Sequence, residues 1–175
     1  MEKLKELLKK EHSKKQTLEI VHFIDQQPNK LKTLIDIISA NEPLFSQRAA
    51  WVLSVIGEQN ITVLKVHIPD LINLLDKKYH DAVLRASYKC LSKLTIPEKL
   101  QGKTFDVSLH FLSQKSTPTG IKIWIIDVLM QIAKNHVELQ QEISIVLTEQ
   151  YKFCTVGLKG KIEKTLQKIK SNVKK

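Results

Sequence analysis

The sequence predicts an all-α superhelix, an α-solenoid of four antiparallel helical hairpins of about 37 residues behind an N-terminal helical hairpin. Three observations predict it. Apolar residues recur at helical spacing, the spacing repeats along the chain, and breakers are scarce, with Gly and Pro at 5 each in 175 residues. So small a share of turn formers argues against a sandwich or barrel. Hydrophobic residues at 42% beside 26% charged mark a chain that folds. The expected layout is one solenoid domain over 1–175. Within it, 1–28 is a capping hairpin, 29–155 the repeats and 156–175 a Lys-rich capping helix.

The elements follow in order. Leu4, Leu7 and Leu8 give the first helix one apolar face, and Ser13 with Gln16 has the spacing of a capping box, so a second helix starts there and runs toward Pro28. An offset of 37 then aligns Leu31, Ile68 and Phe105. It also aligns Leu34, Leu71 and Ser108, then Ile35, Ile72 and Leu109, then Ile38, Leu75 and Leu112. Within each unit these fall at i, i+3, i+4 and i+7, one stripe of an amphipathic helix. The A helices are expected near 29–40, 60–76, 103–114 and 138–152, the last on a shifted stripe of Ile143, Val146 and Leu147. The B helices are expected near 44–58, 80–95, 118–135 and 156–173. Asn41-Glu42-Pro43, Lys77 to Asp81 and Ser116-Thr117-Pro118 separate the first three pairs, the last with a Ser/Thr cap ahead of Pro. Gly57, Gly102 and Gly120 are expected at or near helix ends.

The B helices carry columns of their own. Trp51, Tyr88, Ile125 and Ile162 form one, and Val55, Ser92, Leu129 and Leu166 a second. Arg48, Arg85, Lys122 and Lys159 form a third, basic in all four units. At the far end Ile162, Leu166, Ile169 and Val173 make an apolar stripe, with Lys161, Lys164, Lys168 and Lys170 turned elsewhere.

The net charge of +10 is unevenly placed. Residues 1–32 carry +3, residues 33–151 are neutral, and residues 152–175 carry +7. The excess is terminal and almost all Lys, as a solubilising solenoid end requires. The longest apolar runs are a few residues, such as Ile123 to Ile126, so no membrane-spanning helix is expected. The first twenty residues alternate Lys and Glu, without the apolar core of a secretory signal. Cys90 and Cys154 have no C-x-x-C spacing. Together these point to a cytoplasmic protein with reduced thiols.

Residues 68–91, IPDLINLLDKKYHDAVLRASYKCL, resemble a HEAT repeat. The matching positions are Pro69, Leu71, Leu75, Asp76, Val83, Arg85 and Ala86. Residues 45–57, FSQRAAWVLSVIG, resemble the B helix of the shorter HEAT-like repeats through Arg48, Ala49, Ala50, Leu53 and Gly57. The third unit, TPTGIKIWIIDVLMQIA, keeps the spacing with Lys122 in place of Arg. The whole chain is similar to a group of small bacterial HEAT-like proteins. Two departures stand out: the period is shorter than that of most HEAT units, and the turn between Asp76 and Arg85 is longer.

The candidate binding residues are Arg48, Trp51, Arg85, Lys122, Trp124 and Lys159. Two readings of the basic column stand side by side. The resemblance implies a structural ladder, in which each cation bonds acidic or carbonyl groups of a neighbouring unit, with Glu42, Asp76 or Asp81 as acceptors. The alternative is a row of cations along the B-helix face, open to a phosphate backbone or an acidic peptide. Trp51 and Trp124 are core residues or, beside a cation, stacking platforms. His12, His22, His67, His80, His110 and His136 fall in no metal-ligand spacing, and no G-x-S-x-G, phosphate loop or paired-carboxylate motif appears. No metal and no cofactor are expected.

The expected function is a non-catalytic scaffold that binds another protein on the concave B-helix surface. The first alternative is a nucleic-acid-binding module using Lys122, Lys159 and the Lys-rich last helix with Arg48 and Arg85. The more remote one is an enzyme like the HEAT-like DNA alkylation-repair glycosylases, although no acidic residue here matches their catalytic position. A Lys-rich end pairing with a second copy is a further expectation.

Overall fold

Ser13 opens its helix as the spacing predicts: its Oγ accepts the Gln16 N–H at 3.0 Å. The computed structural model describes residues 1–76 and 79–173, and among these are ten α-helices, two 3-10 segments and no strand. The chain divides into two units, Met1–Leu94 and Thr95–Lys175.

The first unit runs α1 (Glu2–Lys10), α2 (Lys14–Gln26), α3 (Lys30–Ser39), α4 (Pro43–Gln59), a 3-10 segment (Ile61–His67), α5 (Ile68–Asn73) and α6 (Asp81–Leu91). Helix α4 lies at its centre, against α1, α2, α3 and α6. Leu34, Ile38, Leu53, Leu71 and Val83 are fully buried around it. Each such side chain contributes roughly 1.5–3 kcal/mol of burial. The turn from α3 to α4 needs a left-handed residue, and Asn41 supplies it at φ 57°. Pro43 then starts α4 in its first turn, where no N–H is needed.

The second unit runs α7 (Glu98–Ser113), α8 (Thr119–Ile132), a 3-10 turn (Ala133–Asn135), α9 (Val137–Tyr151) and α10 (Val156–Val173). Helix α7 packs on α8 and α9, and α10 packs on the same two. Ile121, Ile125, Leu129, Ile143, Leu147 and Ile162 form its core. All of the repeat stripe is buried except Leu109 and, on its shifted last part, Val146, which are half-buried.

Four expectations are corrected. The helix placed at 60–76 is broken, because Pro69 lacks the N–H that would continue it and instead sits in the first turn of α5. Helix α7 starts at Glu98, behind Pro97, so Gly102 lies inside it rather than at its end. Thr117 does not cap α8: Pro118 occupies the N-cap, and no side chain bonds the first turn. The second B helix ends at Leu91, short of 95. Of the turn expected at 77–81, Lys77 and Lys78 lie outside the described residues. So does the side chain of Val173.

Candidate functional site

Small residues on two facing helices leave a trough. On α4, Gln47, Ala50, Trp51 and Ser54 fall at helical spacing, and on α6 so do Ala82, Arg85 and Ala86. With His12 from the turn between α1 and α2 they line a groove of about 190 Å³. Its floor is deep because Ala50, Ala82 and Ala86 end at Cβ. Its walls are aromatic: the His12 and Trp51 rings meet edge to face, 4.9 Å between centroids at 78°. Trp51 is half-buried, and Arg85 is exposed at the rim, with no carboxylate partner among the described residues.

The four members of the basic column therefore meet four different surroundings. Arg48 turns toward α1, where one guanidinium nitrogen donates to the carbonyl oxygens of Leu8 at 2.6 Å and Lys9 at 3.1 Å. These are end carbonyls of a helix, which have no partner of their own. Glu42, one of the acceptors expected for the column, pairs instead with Lys5 at 2.5 Å. Arg85 stands over the groove. Lys122 is 4% exposed, and its Nζ donates to Gln150 Oε1 at 2.6 Å. Burial lowers its pKa from the ordinary lysine value, against a smaller opposing effect of Cys154. Lys159 lies 5.3 Å from the centre of the Tyr151 ring. Trp51 and Arg85 are thus brought together; Trp124 is half-buried on α8 in the other unit.

A larger concavity has no counterpart in the sequence reading. Ile24, Leu31 and Ile56 floor a cavity of about 480 Å³ rimmed by Asp25, Gln59, Asn60, Val63, Val66 and His67. It owes its rim to the 3-10 segment, which leaves Val63 39% and Val66 81% exposed. The local signal was Pro69, which ends any α-helix running through His67. Below the rim, His67 Nδ1 is 3.1 Å from Asp70 Oδ2, and Lys32 Nζ lies 3.1 Å from Asp70 Oδ1.

The remaining chemistry-bearing groups have structural surroundings. The Cys90 thiol, against the Leu53 carbonyl, is pushed up to about 12 by burial, far from a reactive thiolate. His80 accepts the Ala82 N–H on Nδ1 at 3.1 Å and caps α6. Among the described residues no three His, Cys, Asp or Glu side chains come together as metal ligands. Among the described residues no helix is long and apolar enough to cross a membrane.

Arg48 and Arg85, 37 residues apart, each sit near the start of a B helix, α4 and α6. The HEAT repeat domain model matches residues 4–169. The chain belongs to the HEAT repeat family. HEAT repeats commonly mediate protein–protein association and are generally non-catalytic. No curated protein matches the chain.

Proposed function

We propose that this HEAT-repeat protein is a non-catalytic scaffold that docks an acidic segment of a partner protein in the groove between α4 and α6. One observation carries the reading: an exposed guanidinium without a carboxylate, Arg85, beside the half-buried ring of Trp51. Arg and Trp are the residues most often dominant in binding energy, and the Arg fork matches a carboxylate in two parallel hydrogen bonds. A trough floored by alanines admits an extended segment or the edge of a helix.

The test begins with a photo-crosslinking residue at Gln47 in living cells, which marks whatever occupies the groove. The captured protein is then purified and titrated against wild type, Arg85→Glu, Trp51→Ala and the surface pair Lys164→Glu/Lys168→Glu. The expected result is at least a tenfold loss for the first two and none for the pair. Nucleic-acid binding that collapses with salt and with the lysine pair, while Arg85→Glu leaves it intact, overturns the reading in favour of a phosphate-backbone module. Release of alkylated bases by the purified protein favours the glycosylase.

A further inference from the structure

Lys122 is a cation placed inside the second unit with no counter-charge among the described residues. Its ammonium has three protons to donate, and among the described residues a single acceptor, the neutral Gln150 amide, lies against it at 2.6 Å. That amide is itself held, through its nitrogen, to the Ser113 carbonyl at 2.9 Å, so the acceptor is fixed rather than drawn in by the lysine. Lys122 lines a cavity of about 130 Å³ together with Lys115, Thr117, Thr119, Gln150 and Cys154. No carboxylate lines it.

Three further features point the same way. The hydroxyls of Thr117, which is buried, and Thr119 have no hydrogen-bond partner among the described residues. The cavity lies at the start of α8, where Pro118 occupies the N-cap and no side chain accepts the free N–H groups of the first turn. At the rim, Lys115 Nζ lies 4.3 Å from the centre of the exposed Phe153 ring, which holds a second cation beside the opening. A cavity of about 130 Å³ has room for a group of four oxygens.

We infer that this cavity binds a small oxyanion of the size of phosphate, held by Lys122 Nζ, the Thr117 and Thr119 hydroxyls and the start of α8. The anion supplies the negative charge the buried ammonium lacks and accepts from the Thr117 and Thr119 hydroxyls, which no described residue engages. A free ion and a phosphate ester share this chemistry; Phe153 at the rim offers an ester an apolar surface.

Thermal unfolding in phosphate against chloride at matched ionic strength tests the site. Wild type, Lys122→Met and the surface pair Lys164→Glu/Lys168→Glu are compared. Phosphate is expected to raise the wild-type Tm to a plateau, with the same response in the surface pair and at least a tenfold weaker one in Lys122→Met. Phenyl phosphate is the second probe. Tighter binding than phosphate assigns the site to an ester, and equal or weaker binding to the free anion. Should Lys122→Met fail to fold, Thr117→Val/Thr119→Val is read instead by phosphate titration of its amide NMR spectrum, with the same loss expected. A wild type without a saturable response, or one equal to that of the cavity variant, overturns the inference.

Discussion

A β-carbon built on Gly57 would stand 2.6 Å from the Cys90 sulfur. That is closer than real side chains approach, so the Cys90 sulfur of α6 sits against α4 at this point because residue 57 has no side chain. Gly57→Ala gains about 1 kcal/mol of helix propensity and loses more to the clash. The expected net destabilisation is about 1–3 kcal/mol in urea unfolding. Adding Cys90→Ala removes the obstacle, and the double variant is expected to recover most of the loss. Equal effects of Gly57→Ala in both backgrounds would show that the sulfur is not the cause.

Arg48 closes the end of α1 from a different helix. Arg48→Met keeps the aliphatic stem and deletes both hydrogen bonds, at an expected cost of about 1–3 kcal/mol. Amide hydrogen exchange is the sharper readout. The α1 amides are expected to exchange faster while those of α9 stay unchanged, and uniform acceleration would refute a local role.

Ser108 is the polar member of the repeat stripe, fully buried, and its hydroxyl has no hydrogen-bond partner among the described residues. Ser108→Ala removes an unsatisfied group and adds helix propensity, so it is expected to stabilise by about 1 kcal/mol. A lower urea midpoint for the variant would mean that the hydroxyl is satisfied after all.

Asp70 gives the molecule an acid-sensitive contact. Burial alone would raise its carboxyl pKa, but hydrogen bonds from His67 and Lys32 outweigh it and hold the group below 3.8. The folded value lies under the unfolded one. The contribution is therefore complete above about 4 and disappears as pH falls through the folded value. Lys32 reports the same pairing from the other side, raised first by Asp36 and then by Asp70. The stability difference between wild type and Asp70→Asn is expected to be about 1 kcal/mol or less near pH 6 and to vanish near pH 2. A difference that persists in acid would rule the ion pair out as its source.

Burial follows a period, and so the hairpins were legible: of the column Trp51, Tyr88, Ile125 and Ile162, the last three are fully buried and Trp51 is half-buried. Caps that depend on one neighbour were legible too, as Ser13 shows. The basic column was legible as a register and not as a role. Arg48, Arg85, Lys122 and Lys159 occupy equivalent positions, yet each meets what a different stretch of chain happens to bring. Arg48 finds carbonyls 39 and 40 residues away, and Lys122 finds an amide 28 residues on. No local rule encodes such partners. The helix break before Pro69 was readable from proline geometry, whereas the cavity it rims depends on α2 and α3 as well.

The helix ends here are finished by distant or flanking side chains. Gln16 takes the Leu7 carbonyl, Gln140 those of Ala133 and Lys134, and Gln150 that of Ser113, alongside Arg48 on α1. Consensus repeat arrays lengthen or shorten by copying identical bricks. This chain has no identical bricks to copy: cutting out α9 would strip acceptor groups on α7 and on the 3-10 turn after α8 of their donors at once. Its length is fixed by those cross-links, and an insertion or loss of one hairpin in a descendant gene would have to bring new stoppers with it.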